Sequence, residues 1–248
     1  MTHRVTILLV DAGNTRVKWA LADSAAPVGQ WLAHGAVLHA DLAMLRGAWQ
    51  GLGAAGALVS NVAGPQMRAQ LADLLAPLPV TWFASARTLA GITNGYRNPL
   101  QLGCDRFAAA IGARAFEPGK ALVIATCGTA TTIDAVSPDG TFVGGMILPG
   151  LALMAGSLAN NTAQLPQAAP GTALPPTFAD NTTDAIVSGC INAQAGAIER
   201  AVAAHRAERC IVSGGAAGFI VPALAGQYTV RENLVLAGLH AAAGELSC

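Results

Sequence analysis

Apolar and polar positions change period several times along the chain. Val5-Thr6-Ile7-Leu8-Leu9-Val10 is a short β-rich run, and Asp11-Ala12-Gly13-Asn14-Thr15 has the composition of a turn. Arg16-Val17-Lys18-Trp19-Ala20-Leu21 then alternates polar and apolar, the period-two mark of a half-buried strand. A third strand is expected around Gln30 to Leu38, followed by a helix near Asp41 to Gln50 and a strand at Ala57 to Asn61. A helix from Gln66 to Leu75, a strand near Val80 to Phe83 and a helix from Asp105 to Phe116 complete the first half. Glu117-Pro118-Gly119-Lys120 breaks the pattern, and the plan restarts. Ala121 to Ala125 reads as a strand, Thr126-Cys127-Gly128-Thr129 as a turn and Ala130 to Val136 as a strand; Asp139-Gly140 is a hairpin signal before another strand, Thr141 to Ile147. An uncharged loop from Asn161 to Ala179, holding four prolines, leads to a helix over Thr183 to Arg206, a strand at Cys210 to Ser213, the turn Gly214-Gly215 and further helix. The pattern predicts two similar α/β halves, 1–116 and 117–248, each opening with a three-strand meander whose first turn is polar and Gly-bearing. Two such turns in equivalent places are expected to face each other across an interdomain cleft, where ligands tend to bind.

Composition narrows the function classes. Of 248 residues, 53% are hydrophobic and only 11% charged, and the formal net charge is zero. Such a chain buries far more apolar surface than a disordered one. It offers no basic face for nucleic acid and no polybasic membrane anchor. Residues 140 to 179 carry no charge, but Pro149-Gly150 interrupts the apolar stretch Phe142 to Ala159, which reads as a buried strand, a turn and a helix start rather than a membrane span. The run Val5 to Val10 is too short for a secretion signal, so a cytoplasmic location is expected. The five cysteines (104, 127, 190, 210 and 248) form no CxxC pair and are expected as reduced thiols, and the five histidines show no metal-ligand spacing. A lightly charged surface leaves room for a partner subunit.

Two phosphate-binding look-alikes are set aside. Gly51-Leu52-Gly53-Ala54-Ala55-Gly56 matches GxGxxG but precedes a strand instead of following one. Gly119-Lys120 lacks the Ser or Thr that a P-loop requires. Four segments carry stronger signals. The turn Asp11 to Thr15 combines a carboxylate, a Gly and small polar residues: its backbone N–H groups suit phosphate oxygens, and Asp11 suits Mg²⁺, directly or through water. Lys18, one of two lysines in the chain, is placed to reach a phosphate; a plain hairpin turn with an exposed Lys is the competing reading. Gly128-Thr129-Ala130-Thr131-Thr132-Ile133-Asp134 offers close backbone approach and the Thr129 hydroxyl, against the plainer reading of a Thr-rich strand. Ser213-Gly214-Gly215-Ala216-Ala217-Gly218 suits an adenosine or phosphate contact, or simply a tight strand–helix turn. Tyr96-Arg97-Asn98-Pro99-Leu100-Gln101-Leu102-Gly103-Cys104-Asp105-Arg106 concentrates charge in a chain poor in it. There Asp105 is either a base or a helix cap, and Arg106 either an anion ligand or solvated.

On these residues, together with Gly144-Gly145 to Pro149-Gly150 and Asn181-Thr182 to Gly189, the whole chain resembles the type III pantothenate kinases. That family belongs to the acetate kinase, sugar kinase, Hsp70 and actin superfamily. The resemblance implies duplicated ribonuclease H-like (actin-like ATPase) domains and transfer of the γ-phosphoryl of ATP to the 4′-hydroxyl of pantothenate, the first step of coenzyme A synthesis. It implies Asp105 as general base and Asp11 as organiser of Mg²⁺. Asp11, Ala12, Gly13, Asn14, Thr15, Arg16, Val17, Lys18 and Thr129 are implied for ATP, and Tyr96, Gly103, Cys104, Asp105, Arg106 and Thr182 for pantothenate. A homodimer is implied as well. Where the family often has an Asp that helps hold a monovalent cation such as K⁺ or NH₄⁺, this chain has Thr126, whose neutral hydroxyl binds a cation less strongly. Another superfamily kinase or an exopolyphosphatase-like hydrolase, and a non-catalytic transcriptional accessory protein on the same fold, are the alternative functions.

Overall fold

The computed structural model describes residues 5–171 and 173–246. The first elements in chain order are β1 (Thr6–Ala12), β2 (Arg16–Asp23), β3 (Ala33–Leu38), α1 (Met44–Trp49), β4 (Gly56–Asn61), α2 (Pro65–Leu75), β5 (Val80–Trp82), β6 (Thr88–Leu89), β7 (Ile92–Asn94) and α3 (Cys104–Phe116). There follow β8 (Leu122–Cys127), β9 (Ala130–Val136), β10 (Thr141–Pro149), α4 (Leu151–Asn161), α5 (Thr182–His205), β11 (Arg209–Ser213), α6 (Ala217–Ile220), β12 (Thr229–Val230) and α7 (Leu234–Ala243). The chain forms two compact units: unit 1 comprises residues 1–119, 139–143 and 233–248, and unit 2 comprises 120–138 and 144–232.

In unit 1 the sheet order is β3-β2-β1-β4-β5. β1, β2 and β3 pair antiparallel, while β4 and β5 extend the sheet in parallel. Strand alternation sends successive side chains to opposite faces. Leu8, Val10, Ala12, Val17, Trp19, Ala57 and Val59 pack with Met67 and Leu71 of α2 and Leu45 of α1 on one face. The other face, which carries Ile7, Leu9, Asp11, Lys18, Leu58 and Ser60, lies towards α3 and α7. Those two helices cross closely at glycines. A Cβ on Gly238 would collide with the Ala108 carbonyl, and one on Gly112 would come within 2.5 Å of the Leu234 carbonyl.

Unit 2 repeats the plan with the order β12-β11-β8-β9-β10. β8 and β9 are antiparallel, and β11 and β12 extend the sheet in parallel. Read outward from the first strand, the two orders are the same, so the duplication expected from the sequence is present in the topology. The core of unit 2 joins Val123, Ala125, Ile133 and Val212 of the sheet to Ile186, Val187, Cys190 and Ile198 of α5.

Two local expectations are corrected. Strand β8 runs on through Thr126 and Cys127, so the second turn is confined to Gly128-Thr129. The segment read as a buried strand, β10, is largely exposed: Val143, Met146 and Ile147 are 56%, 41% and 65% accessible. Apolar composition marked it as interior, but on the side away from β9 only Thr141 and Phe142 are paired, with β7, and the residues after them lie at the sheet's edge. No helix among the described residues is long and apolar enough to cross a membrane.

Candidate functional site

The polar face of unit 1 gathers the first group of candidates. Asp11 ends the apolar run of β1, flanked in register by Lys18 on β2 and Ser60 on β4. All three point to the α3 face because each is one step out of phase with the core residues around it. Helix α3 begins there. Cys104 lies 3.4 Å from the Ser60 hydroxyl and donates weakly to the Asn61 carbonyl at 3.7 Å, which docks the first turn of the helix against the end of β4, the strand next to β1. Asp105 is thereby brought close enough for its charge to act on Asp11.

Electrostatics mark this spot. Burial, helped by the Asp105 charge and opposed by Lys18, pushes the Asp11 carboxyl up to about 7. Burial also raises Asp105, against the Arg106 amide and guanidinium, which favour the ionised form. Two desolvated carboxylates with raised proton affinities are what an acid–base or cation site produces. Asp105 is not the helix cap: Gly103 occupies that position, without a side-chain capping bond. The Asp105 carboxylate instead folds back over Gly103, where a Cβ would sit 2.7 Å from Oδ1, and accepts the Arg106 N–H at 2.8 Å.

Arg106 is buried, not solvated, at 7% accessibility. Its Nη1 donates to the Tyr96 hydroxyl at 2.8 Å, and its guanidinium lies 5.7 Å from the Tyr96 ring and 5.8 Å from that of Phe142. The two rings meet edge to face at 5.8 Å. The Tyr96 loop is pinned by buried Asn94, which accepts the Tyr96 N–H at 3.0 Å and donates to the Pro99 carbonyl at 3.1 Å. Ser85 holds the next stretch by donating to the Leu102 carbonyl at 2.8 Å. Ser60, Asn94, Ser85 and Phe142 do not stand out in the sequence as site residues. Ser60-Asn61 does carry a signal, a polar pair closing the apolar strand Gly56–Asn61. Phe142 carries none, because its partner Tyr96 is far away in sequence.

Among the turn residues the structure divides the candidates. Ala12 and Val17 are buried in the core, so only their backbones are available. Asn14, Thr15 and Arg16 are exposed, and Gly13 closes the turn by donating its N–H to the Arg16 carbonyl at 3.1 Å. The Cys104 thiol is occupied with Ser60 and Asn61, and burial pushes its pKa up.

Unit 2 holds the second group. Thr129 is exposed in the turn after β8, and its carbonyl accepts the Gly150 N–H at 2.9 Å. A Cβ on Gly150 would strike the Gly128 and Thr129 carbonyls, and one on Gly214 would strike the Cys127 backbone. Thus Gly128, Gly150 and Gly214 converge at the end of β8, where close backbone approach needs glycine. Gln194, fully buried on α5, braces this convergence by accepting from Thr131 at 2.8 Å and donating to the Pro149 carbonyl at 3.0 Å. Thr182 lies elsewhere in unit 2, at the start of α5, where Asn181 caps the helix by accepting the Asp184 N–H at 3.0 Å. It lines a mainly apolar cavity of about 540 Å³ with Pro149, Met154, Leu158, Leu165 and Ile186. Cys104, Cys127, Cys190 and Cys210 are free thiols, while Cys248 lies outside the described residues. Among the described residues no three His, Cys, Asp or Glu side chains gather as a metal cage.

A sequence profile of the type III pantothenate kinase family matches residues 7–204. The chain is 55% identical over 252 residues to a type III pantothenate kinase of Janthinobacterium sp. (strain Marseille), covering 96% of this chain and 97% of that one. The corresponding protein of Herminiimonas arsenicoxydans is 53% identical over 250 residues, with the same coverage. In structure, a conserved Baf-family protein from Campylobacter jejuni matches with a TM-score of 0.65 at 20% identity over 97% of this chain and 98% of that one. The activator of the 2-hydroxyisocaproyl-CoA dehydratase from Clostridium difficile matches with a TM-score of 0.52 at 12% identity over 96% and 93%.

Proposed function

The chain belongs to the type III pantothenate kinase family, and from that premise we propose that it phosphorylates pantothenate on its 4′-hydroxyl with ATP, with Asp105 as general base. The observation that carries the role of Asp105 is its carboxylate: desolvated, raised in pKa and docked beside Asp11 by the Cys104–Ser60 contact. A loose phosphoryl-transfer transition state asks mainly for alignment and charge stabilisation. Asp105 orients the attacking hydroxyl and accepts its proton. Arg106, held by Tyr96, pairs with the pantothenate carboxylate, while Gly103 and Cys104 shape the approach through their backbone. The Asp11 to Lys18 segment and Thr129 hold the phosphates, and Thr182 adds a contact to pantothenate.

The donor set at Asp11 fits Mg²⁺. An excess of buried negative charge there calls for a cation, and Mg²⁺ takes one or two carboxylates while keeping its waters. When bound, it would supply charge neutralisation to the phosphates. At the position of the family's cation-binding Asp, Thr126 faces Thr132 across β8 and β9, so activity is expected to depend little on K⁺ or NH₄⁺. The cytoplasm is the proposed location, and a homodimer the proposed assembly.

Loss of ATP measured with and without pantothenate tests the reading. Stimulation by pantothenate supports it; ATP loss without pantothenate points to a hydrolase, and no loss to a non-catalytic protein. Asp105→Asn is expected to keep its fold by circular dichroism and to lower kcat at least ~10²-fold.

A further inference from the structure

His39 follows β3 directly, and its Nε2 lies 2.8 Å from the Gly13 carbonyl. A carbonyl only accepts, so Nε2 carries the proton in this bond. The contact spans 26 residues and ties the third strand of unit 1 to the middle of the Asp11 to Thr15 turn.

Its consequence lies in the peptide plane. In a trans peptide the C=O and the next N–H point in opposite directions. Pinning the Gly13 carbonyl therefore aims the Asn14 N–H away from His39. That N–H meets no protein acceptor among the described residues. The Gly13 N–H, by contrast, is spent on Arg16. Glycine at 13 leaves this plane free to rotate, and a flipped plane would turn the carbonyl oxygen to the side where the N–H now points. A carbonyl there repels a phosphate oxygen, whereas an N–H binds it.

We propose that His39 is a positioning residue: by holding the Gly13 carbonyl it keeps the turn presenting the Asn14 N–H, and not a C=O, to a nucleotide polyphosphate. The proposal rests on reading the turn as a phosphate site.

Calorimetric titration of the full chain with ATP, ADP and adenosine tests it, comparing the parent with His39→Phe and His39→Gln. Phenylalanine keeps the ring and loses the donor, while glutamine returns an N–H at about the same reach. His39→Phe is expected to weaken ATP and ADP roughly tenfold, the scale of one hydrogen bond to a charged group. Adenosine affinity and the KM for pantothenate should stay at parental values, and His39→Gln should recover most of the loss. A purely structural staple would instead lower the melting temperature and weaken adenosine and ATP alike, which overturns the proposal, as does an unchanged ATP affinity in His39→Phe. Should His39→Phe not fold, His39→Asn, which is too short to reach Gly13, takes its place with the same expectations. If the parent itself binds ATP no more tightly than adenosine, the phosphate reading of the turn fails and this proposal with it. If the parent prefers ATP and His39→Phe prefers it equally, only the role of His39 fails.

Discussion

A carboxylate with a raised proton affinity costs stability, and Asp11 is the clearest case in this chain. Its folded value near 7 lies above the ordinary aspartate value of 3.8. Between those values the folded state holds a proton that the unfolded state has released, so stability falls as pH rises from about 4 to 7. Every tenfold rise in proton affinity on folding costs about 1.4 kcal/mol once the pH is above both values. Asp11→Asn removes the penalty: without metal it should melt above the parent at pH ~8, with the gap closing as pH falls towards ~4, while kinase activity is lost. Equal melting curves at the alkaline end, measured by scanning calorimetry, would show that the Asp11 carboxyl is not desolvated. At Arg106 the expected effect is on binding. Arg106→Ala should raise the KM for pantothenate by about tenfold or more, the scale of a charged hydrogen bond, because the buried guanidinium held by Tyr96 is lost; an unchanged KM removes the carboxylate contact. Asp105 and Arg106 stand out in the sequence as charge concentrated in a charge-poor chain, and Asp11 as the carboxylate of a Gly-bearing turn; the family resemblance is what turns them into candidates. Their supports do not stand out. Ser60 meets Cys104 across 44 residues and His39 meets Gly13 across 26, and such pairings depend on register and not on local pattern.

At the level of elements, most strands and helices follow from periodicity. The meander β1 to β3 and the strand β9 appear where alternation places them. The contact of α7 with α3 was not legible, because a glycine in a helix reads locally as a defect. Gly112 and Gly238 serve as the crossing point, and only the partner helix reveals it. The same logic governs the second turn. Gly150 follows β10 and packs on the Gly128 and Thr129 carbonyls, so its size sets the position of the turn. Gly150→Ala is expected to displace Thr129 and raise the KM for ATP, by up to ~10²-fold if the shift approaches ~1 Å, with far less effect on pantothenate. Gly156, on the helix α4 that follows, has only the Gln167 amide within 4 Å of an added Cβ, at 3.9 Å. Gly156→Ala should leave both KM values alone and add a little helix stability, up to about 1 kcal/mol. Steady-state kinetics of the pair separates loss of turn position from a general effect of alanine.

For the whole molecule, the charge-free stretch 140–179 is the feature that most needs a partner. Composition alone assigns it a buried place, yet in unit 2 the structure leaves Met146, Ile147, Leu153 and Leu158 exposed at 41%, 65%, 51% and 37%. Leu158 also lines the cavity that reaches Thr182. Apolar surface of this kind, with no charge to keep molecules apart, is characteristic of an interface. A second copy of the chain is the occupant expected to cover part of this surface, in keeping with the homodimer that the family resemblance implies. Light scattering should therefore give twice the 25.0 kDa chain mass at micromolar concentration. Ile147→Asp places a charge on the most exposed of these four side chains. It should shift the mass towards one chain and raise the KM for pantothenate through Thr182, with the affinity for ATP retained. A parent that stays at one chain mass up to about 100 µM, well above a micromolar dissociation constant, would mean that this face is covered by something other than a second copy.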